Sequence, residues 1–199
     1  PPPPPPPPPP PFFFNPTPEY AIASCLVGSE MCIRDRIIIG PMASGKSVVG
    51  KKLSKRMNLD FFDTDESIEN KAGASISWIF EIEGEGSFRK RESDVFSELM
   101  ELDNCVISTG GGIVLKKENR DLLKRQMVVY LEVSIQTQLE RTLRDEKRPL
   151  LSNKVNKEEV LRQIAKERIP FYEECSSLRV SEKKNPDLVV DEILNNLNT

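Results

Sequence analysis

Histidine is absent from the chain. That absence excludes imidazole acid–base chemistry, serine triads and His-ligated metal sites. Proton handling must fall to carboxylates, and anion handling to Lys and Arg. Cysteine is scarce: Cys25 and Cys32 lie near the start, and Cys105 and Cys175 stand far apart without pair spacing. No disulfide framework is readable, which predicts a reducing, cytoplasmic compartment. Cys105 heads a β-like run and reads as a small buried residue. No apolar run approaches the length that spans a bilayer. Charge of either sign is not in excess. Without residues 1–36 the chain carries 26 basic and 28 acidic residues. Neither a nucleic acid nor a membrane is expected as a partner.

Proline is unevenly spread. Of 17 prolines, 13 lie in residues 1–36, and Pro1 to Pro11 form an unbroken run. Such a run, without N–H donors and with fixed φ, reads as a solvated polyproline II rod. Residues Leu26 to Arg36 spell LVGSEMCIRDR, which looks like the translation of a sequencing-library adapter. Residues 1–36 are therefore read as a gene-calling artefact and set aside from fold reasoning. A genuine proline-rich tail for an SH3-like partner is the alternative. On the first reading the natural start of the first strand is missing, and Asp35 and Arg36 stand where other residues belonged. Residues 37–199 make one domain, large enough for a real core.

The strongest motif is Gly40-Pro41-Met42-Ala43-Ser44-Gly45-Lys46-Ser47, which follows Ile37-Ile38-Ile39. It fits the phosphate-binding pattern G-x-x-x-x-G-K-[ST]. A buried strand ends at Gly40, the chain turns, and a helix starts near Gly45. Amides of the loop and helix start then converge on an anion. Lys46 supplies charge at the β/γ-phosphates, and the Ser47 hydroxyl can hold Mg²⁺. The plain alternative is a glycine-rich turn before an ordinary helix.

Strand-like and helical signals alternate. Strands are expected over 37–40, 60–63, 105–109, 127–133 and 178–181. Most are apolar without alternation, as in parallel strands covered on both faces. Helices are expected over 46–58, 87–102, 116–125, 134–144, 157–168 and 187–197. The first carries Val48, Val49, Leu53 and Met57 at helical spacing. Asn156, with Glu159 three residues on, reads as an N-cap. Repeated βα units imply a parallel sheet with right-handed crossovers and a ligand at the strands' carboxyl ends. The stretch from Asp65 to Leu102 is too long for one crossover and holds at least two helices. Residues 144–156, with Arg148-Pro149, are charged. The two read as a substrate-holding insertion and a mobile lid.

Phe61-Phe62-Asp63-Thr64-Asp65 ends the second strand. If both aspartates are extended they face one side, where one serves Mg²⁺ and the other accepts a hydroxyl proton. An Asp-rich turn with Asp65 as N-cap is the equal alternative. Gly110, Gly111 and Gly112 follow the third strand, where bare backbone admits a substrate closely; a flexible turn is the alternative. Arg89, Arg141, Arg144, Arg148 and Arg168 are candidate forks for carboxylate or phosphate. Trp78 and Phe80 read as helix-packing residues.

From Ile37 to about Asn196 the chain resembles shikimate kinases, of the nucleoside-monophosphate-kinase-like phosphate-loop fold. The stretches that carry the likeness are GPMASGKS, FFDTDESIE, SWIFEIEGEGSFRKRE, ISTGGGIV, VVYLEV, RTLRDEKRPLL and ERIPFYEE. The resemblance implies an α/β, three-layer P-loop fold with a central parallel five-stranded sheet, a helical substrate-binding insertion (about 65–102) and a lid (about 144–156). It implies ATP-dependent phosphorylation of the 3-hydroxyl of shikimate, on the route to chorismate and the aromatic amino acids. By the resemblance, Ala43, Ser44, Gly45, Lys46, Ser47 and Val48 hold the ATP phosphates, and Ser47 holds Mg²⁺ with Asp63 acting through water. Asp65 binds substrate hydroxyls and serves as base. Arg89 and Arg168 clamp the carboxylate, and Gly111 adds a backbone contact. Arg148 closes over the transferring phosphate. Arg141 stacks near adenine, which the loop from Ser181 to Pro186 also borders. A monomer is expected. The family often has Gly at Ala43, Ala at Ser44 and Thr at Val48. Another small-metabolite kinase of the same fold, such as a gluconate-type kinase, is the alternative, as is a non-catalytic nucleotide-binding relative. The set Asp65, Arg89, Gly111 and Arg168 suits a polyhydroxylated ring acid.

Overall fold

Five short runs build the centre of the molecule. They are β1 (Arg36–Ile39), β2 (Asp60–Asp63), β3 (Cys105–Ser108), β4 (Met127–Glu132) and β5 (Leu178–Ser181). The computed structural model describes residues 36–142, 156–183 and 185–197. The strands form one parallel sheet in the order β2-β3-β1-β4-β5. β1 is central, with Ile38 paired to Ser108 of β3 and to Val129 of β4.

Period-two geometry sends successive residues to opposite faces. Ile37 and Ile39 join Ile107, Val128 and Tyr130 in one core; Ile38 joins Val106, Val129 and Leu131 in the other. Both faces are covered, so the strands need no polar alternation. α1 (Lys46–Met57) and α8 (Pro186–Leu197) bury Val49, Leu53, Val189, Val190 and Ile193 on one side. The other side is covered by α2 (Thr64–Ala72), α3 (Ile76–Ile82), α4 (Gly84–Leu99), α5 (Lys117–Leu123) and α7 (Lys157–Cys175). α6 (Ile135–Thr142) packs on α7.

The expected elements are all present, with shifted ends. β1 takes in Arg36, which is buried against Val106 and Met127. The long crossover after β2 holds three helices, α2, α3 and α4. α7 does not stop at Arg168 but runs through Pro170 to Cys175. An interior proline costs a helix about 3 kcal/mol. Burial of Tyr172 and Cys175 in the core beyond it supplies the compensation. The Asn156 carboxamide oxygen accepts from the Glu159 amide at 3.2 Å, capping α7 as expected. Phe80 packs on Phe88, ring centroids 4.6 Å apart. Trp78 departs from its expected packing role: it is 48% exposed, next to the wholly buried Ile79. Val48 is likewise turned out, at 52%. Residues 1–35 and residues 143–155, with Arg144, Arg148 and most of the stretch expected as a lid, lie outside the described residues.

Candidate active site

The loop after β1 is shaped by two tight constraints. At Gly40, φ is +147°, and a Cβ would stand 2.6 Å from the Leu131 carbonyl oxygen. At Gly45, φ is +92° just before α1 begins. Ala43 between them has φ +60°, a left-handed conformation held by a residue with a side chain. No side chain caps the start of α1, so its first amides remain for an anion. Lys46 is buried, and its ammonium donates to the Gly40 carbonyl at 2.9 Å, the Pro41 carbonyl at 2.8 Å and Ser44 Oγ at 3.3 Å. The charge is thus held over the loop by oxygen acceptors. From α6, Arg141 donates to the Ala43 carbonyl at 2.8 Å.

β2 places the carboxylates. Ser47 donates to Asp63 Oδ2 at 2.6 Å, tying α1 to the end of β2. Asp63 Oδ1 accepts from the Asp65 amide at 3.0 Å. Asp63, not Asp65, is therefore the N-cap of α2, and Asp65 lies in its first turn. The two residues are not both extended, because the strand ends at Asp63. Even so, Asp63 and Asp65 line the same cleft, of roughly 450 Å³, as Ala43, Lys46, Ser47 and Arg141. Its far wall includes Ser181, Glu182, Lys183 and Pro186.

The glycine run closes the cleft on another side. None of Gly110, Gly111 and Gly112 has a positive φ. Crowding by side chains, rather than a turn, favours glycine at Gly110 and Gly112. A Cβ on Gly110 would lie 2.6 Å from Glu92 Oε1 and 2.8 Å from Asp65 Oδ1; one on Gly112 would lie 1.9 Å from Arg89 Nη1. The Gly110 amide donates to Thr64 Oγ1 at 2.8 Å. The Gly111 carbonyl accepts from Arg168 Nη1 at 3.1 Å and from the Tyr172 hydroxyl at 2.5 Å. Gly111 lines the cleft; Arg89 and Arg168 do not, but both reach the glycine run.

Arg89 is held by two carboxylates of its own helix. Nη1 donates to Glu92 Oε2 at 2.7 Å, and Nε and Nη2 to Glu85 Oε1 at 3.2 and 3.0 Å. Burial works against the Arg89 charge, but Glu92 and Glu85 outweigh it and raise its pKa. Glu92 is 1% exposed. Burial pushes its carboxyl above the ordinary glutamate value, against the pull of Arg89 and Arg168. Glu92 Oε1 and Arg168 Nε have no hydrogen-bond partner among the described residues.

Glu92, Glu85, Tyr172 and Thr64 were not singled out in the sequence. The available signal was helical spacing. Glu85 and Glu92 stand one turn either side of Arg89, and Tyr172 stands one turn beyond Arg168.

A central strand feeding a Lys-bearing loop, beside a carboxylate at the end of β2, defines a kinase of the phosphate-loop α/β class. The shikimate kinase family profile matches residues 42–198. A shikimate kinase of Haemophilus influenzae is 45% identical over 163 residues, 81% of this chain and 91% of that one. A shikimate kinase of Buchnera aphidicola is 48% identical over 148 residues, 74% of this chain and 86% of that one. The solved shikimate kinase of Acinetobacter baumannii, in complex with shikimate, superposes with a TM-score of 0.81 at 39% identity, covering 84% and 94% of the two chains. The chain belongs to the shikimate kinase family.

Proposed function

We propose that the chain transfers the γ-phosphoryl group of ATP to the 3-hydroxyl of shikimate, giving shikimate 3-phosphate and ADP, as a monomer in the cytoplasm. The observation that carries this reading is the buried Lys46 ammonium over an uncapped helix start, in one cleft with Asp65 and Gly111. Kinship to shikimate kinases fixes the acceptor.

Phosphoryl transfer needs alignment and charge neutralisation more than covalent help. The amides of residues 43–48 and Lys46 hold the phosphates, and Arg141 lies beside the adenine. The Ser47 hydroxyl and the Asp63 carboxylate, already joined, are hard oxygen donors of the kind Mg²⁺ takes. Bound there, Mg²⁺ would neutralise phosphate charge. Asp65, on the first turn of α2, takes the acceptor hydroxyl's proton. Arg89 and Arg168 hold the ring carboxylate, and the orphaned Arg168 Nε supports that assignment. Arg148 covers the transferring group, by the family pattern alone.

The test is ADP release by the full chain with ATP, Mg²⁺ and shikimate, with gluconate and nucleoside monophosphates in parallel. Shikimate-dependent release, abolished in Lys46→Met, is expected. Release with another acceptor but not shikimate overturns the substrate. Arg168→Ala should raise the KM for shikimate far more than that for ATP; equal losses in both sink the carboxylate clamp.

A further inference from the structure

We infer that Tyr172 is a positioning residue for the carboxylate clamp, acting through the carbonyl of Gly111. The inference rests on the reading of Arg168 as a carboxylate ligand.

The glycine run has a mechanical problem. Three consecutive glycines carry more backbone freedom than any other tripeptide. Yet side-chain atoms of Asp65, Arg89 and Glu92 crowd it, within 3 Å of where a Cβ on Gly110 or Gly112 would stand. The run also orients Arg168, whose Nη1 donates to the Gly111 carbonyl at 3.1 Å. A fork steered by a mobile carbonyl would itself be mobile.

Tyr172 supplies the missing rigidity. It lies four residues beyond Arg168 on α7, so both side chains leave the same helical face. Its hydroxyl donates to the same Gly111 oxygen at 2.5 Å. Its ring is buried and stacked on Tyr130 of β4, centroids 5.2 Å apart. Tyr130 is paired to Ile39, the last residue of β1. A carbonyl oxygen has two lone pairs, and here both have donors. One donor is anchored in the sheet through the stack; the other is the arginine to be aimed. The phenol thus transmits the sheet's stiffness to the Gly111–Gly112 peptide, and from there to the Arg168 fork and the Gly112 face beside Arg89. Burial pushes the phenol's pKa far above neutrality, so the donor proton is retained at every working pH.

The decisive variant is Tyr172→Phe in the full chain. It keeps the ring and its stack and deletes the hydroxyl that donates to the Gly111 carbonyl. The expected result is a rise of about five- to tenfold in the KM for shikimate, with kcat and the KM for ATP within twofold. That range is the effect of one hydrogen bond on a bound state. Tyr130→Phe, which keeps the stack and leaves the Gly111 bond intact, should change neither KM. An unchanged shikimate KM in Tyr172→Phe overturns the inference. So does a parallel rise in both KM values with a lowered thermal midpoint, the signature of a merely structural residue. If Tyr172→Phe does not fold, the chain with 3-fluorotyrosine in place of tyrosine carries the decision. Its phenols are stronger donors in nearly the same volume, and the shikimate KM should fall about twofold; no fall overturns the inference. Wild-type chain without shikimate-dependent ADP release refutes the underlying function instead, and so separates the two failures.

Discussion

At the scale of single residues, the loop carries a compromise at Ala43. Left-handed φ costs a residue with a Cβ roughly 1–2 kcal/mol, and Ala43 sits at +60°. Ala43→Gly removes that strain but gives the unfolded chain more freedom, which offsets about 0.4–1 kcal/mol. The net expectation is a gain of about 0.5–1 kcal/mol, read as a higher urea midpoint at unchanged slope. An unchanged or lower midpoint would mean that the Arg141 bond to the Ala43 carbonyl, not φ, sets the local energy. Residue identity was the most legible level of the sequence. Gly40 and Lys46 announce themselves because the chemistry tolerates few alternatives. Glu92 did not, although it stands four residues from both Phe88 and Phe96 on the buried stripe of its helix.

At the scale of elements, α4 shows what periodicity conceals. Its apolar stripe, Phe88, Val95, Phe96 and Leu99, faces the core. Glu92 stands four residues from both Phe88 and Phe96, within that stripe, and Arg89 lies at its edge; the spacing marks Glu92 as buried but does not say that its partner is Arg89. The buried Glu92 carboxyl has a pH signature. Its folded pKa is raised, so between the unfolded and folded values the native state keeps a proton that the unfolded chain releases. Its contribution to stability is complete below the ordinary glutamate pKa of 4.5. It declines as pH rises towards the folded value. Glu92→Gln lacks this titration. Chemical denaturation at a series of pH values should show wild type losing ground to the variant as pH rises from the acid side. A constant difference across the series would mean that Glu92 stays charged beside Arg89. The Asp63 cap of α2 was missed for a related reason. Two aspartates two residues apart fit either position, and only the end of β2 decides between them.

At the scale of the whole molecule, strand order was implied only generally by the βα alternation. The order β2-β3-β1-β4-β5 depends on which crossover covers which face, and short apolar strands do not encode that individually. What the alternation did convey was a parallel sheet with its ligand at the carboxyl edge. The cleft lies there, between the segments that follow β1, β2, β3 and β5 and the last residues of β4.

The loop proposed to hold the phosphates springs from Ile37-Ile38-Ile39, each wholly buried, with Ile37 and Ile38 paired on both sides and Ile39 paired to Tyr130. Backbone of that kind opens only when the whole sheet opens. Wear on this protein should therefore be all or nothing. A heated sample should lose activity in step with its circular dichroism at every temperature, and the surviving fraction should keep full specific activity and an unaltered KM for ATP. A population of folded but idle molecules would show that the grip can come loose while the sheet endures.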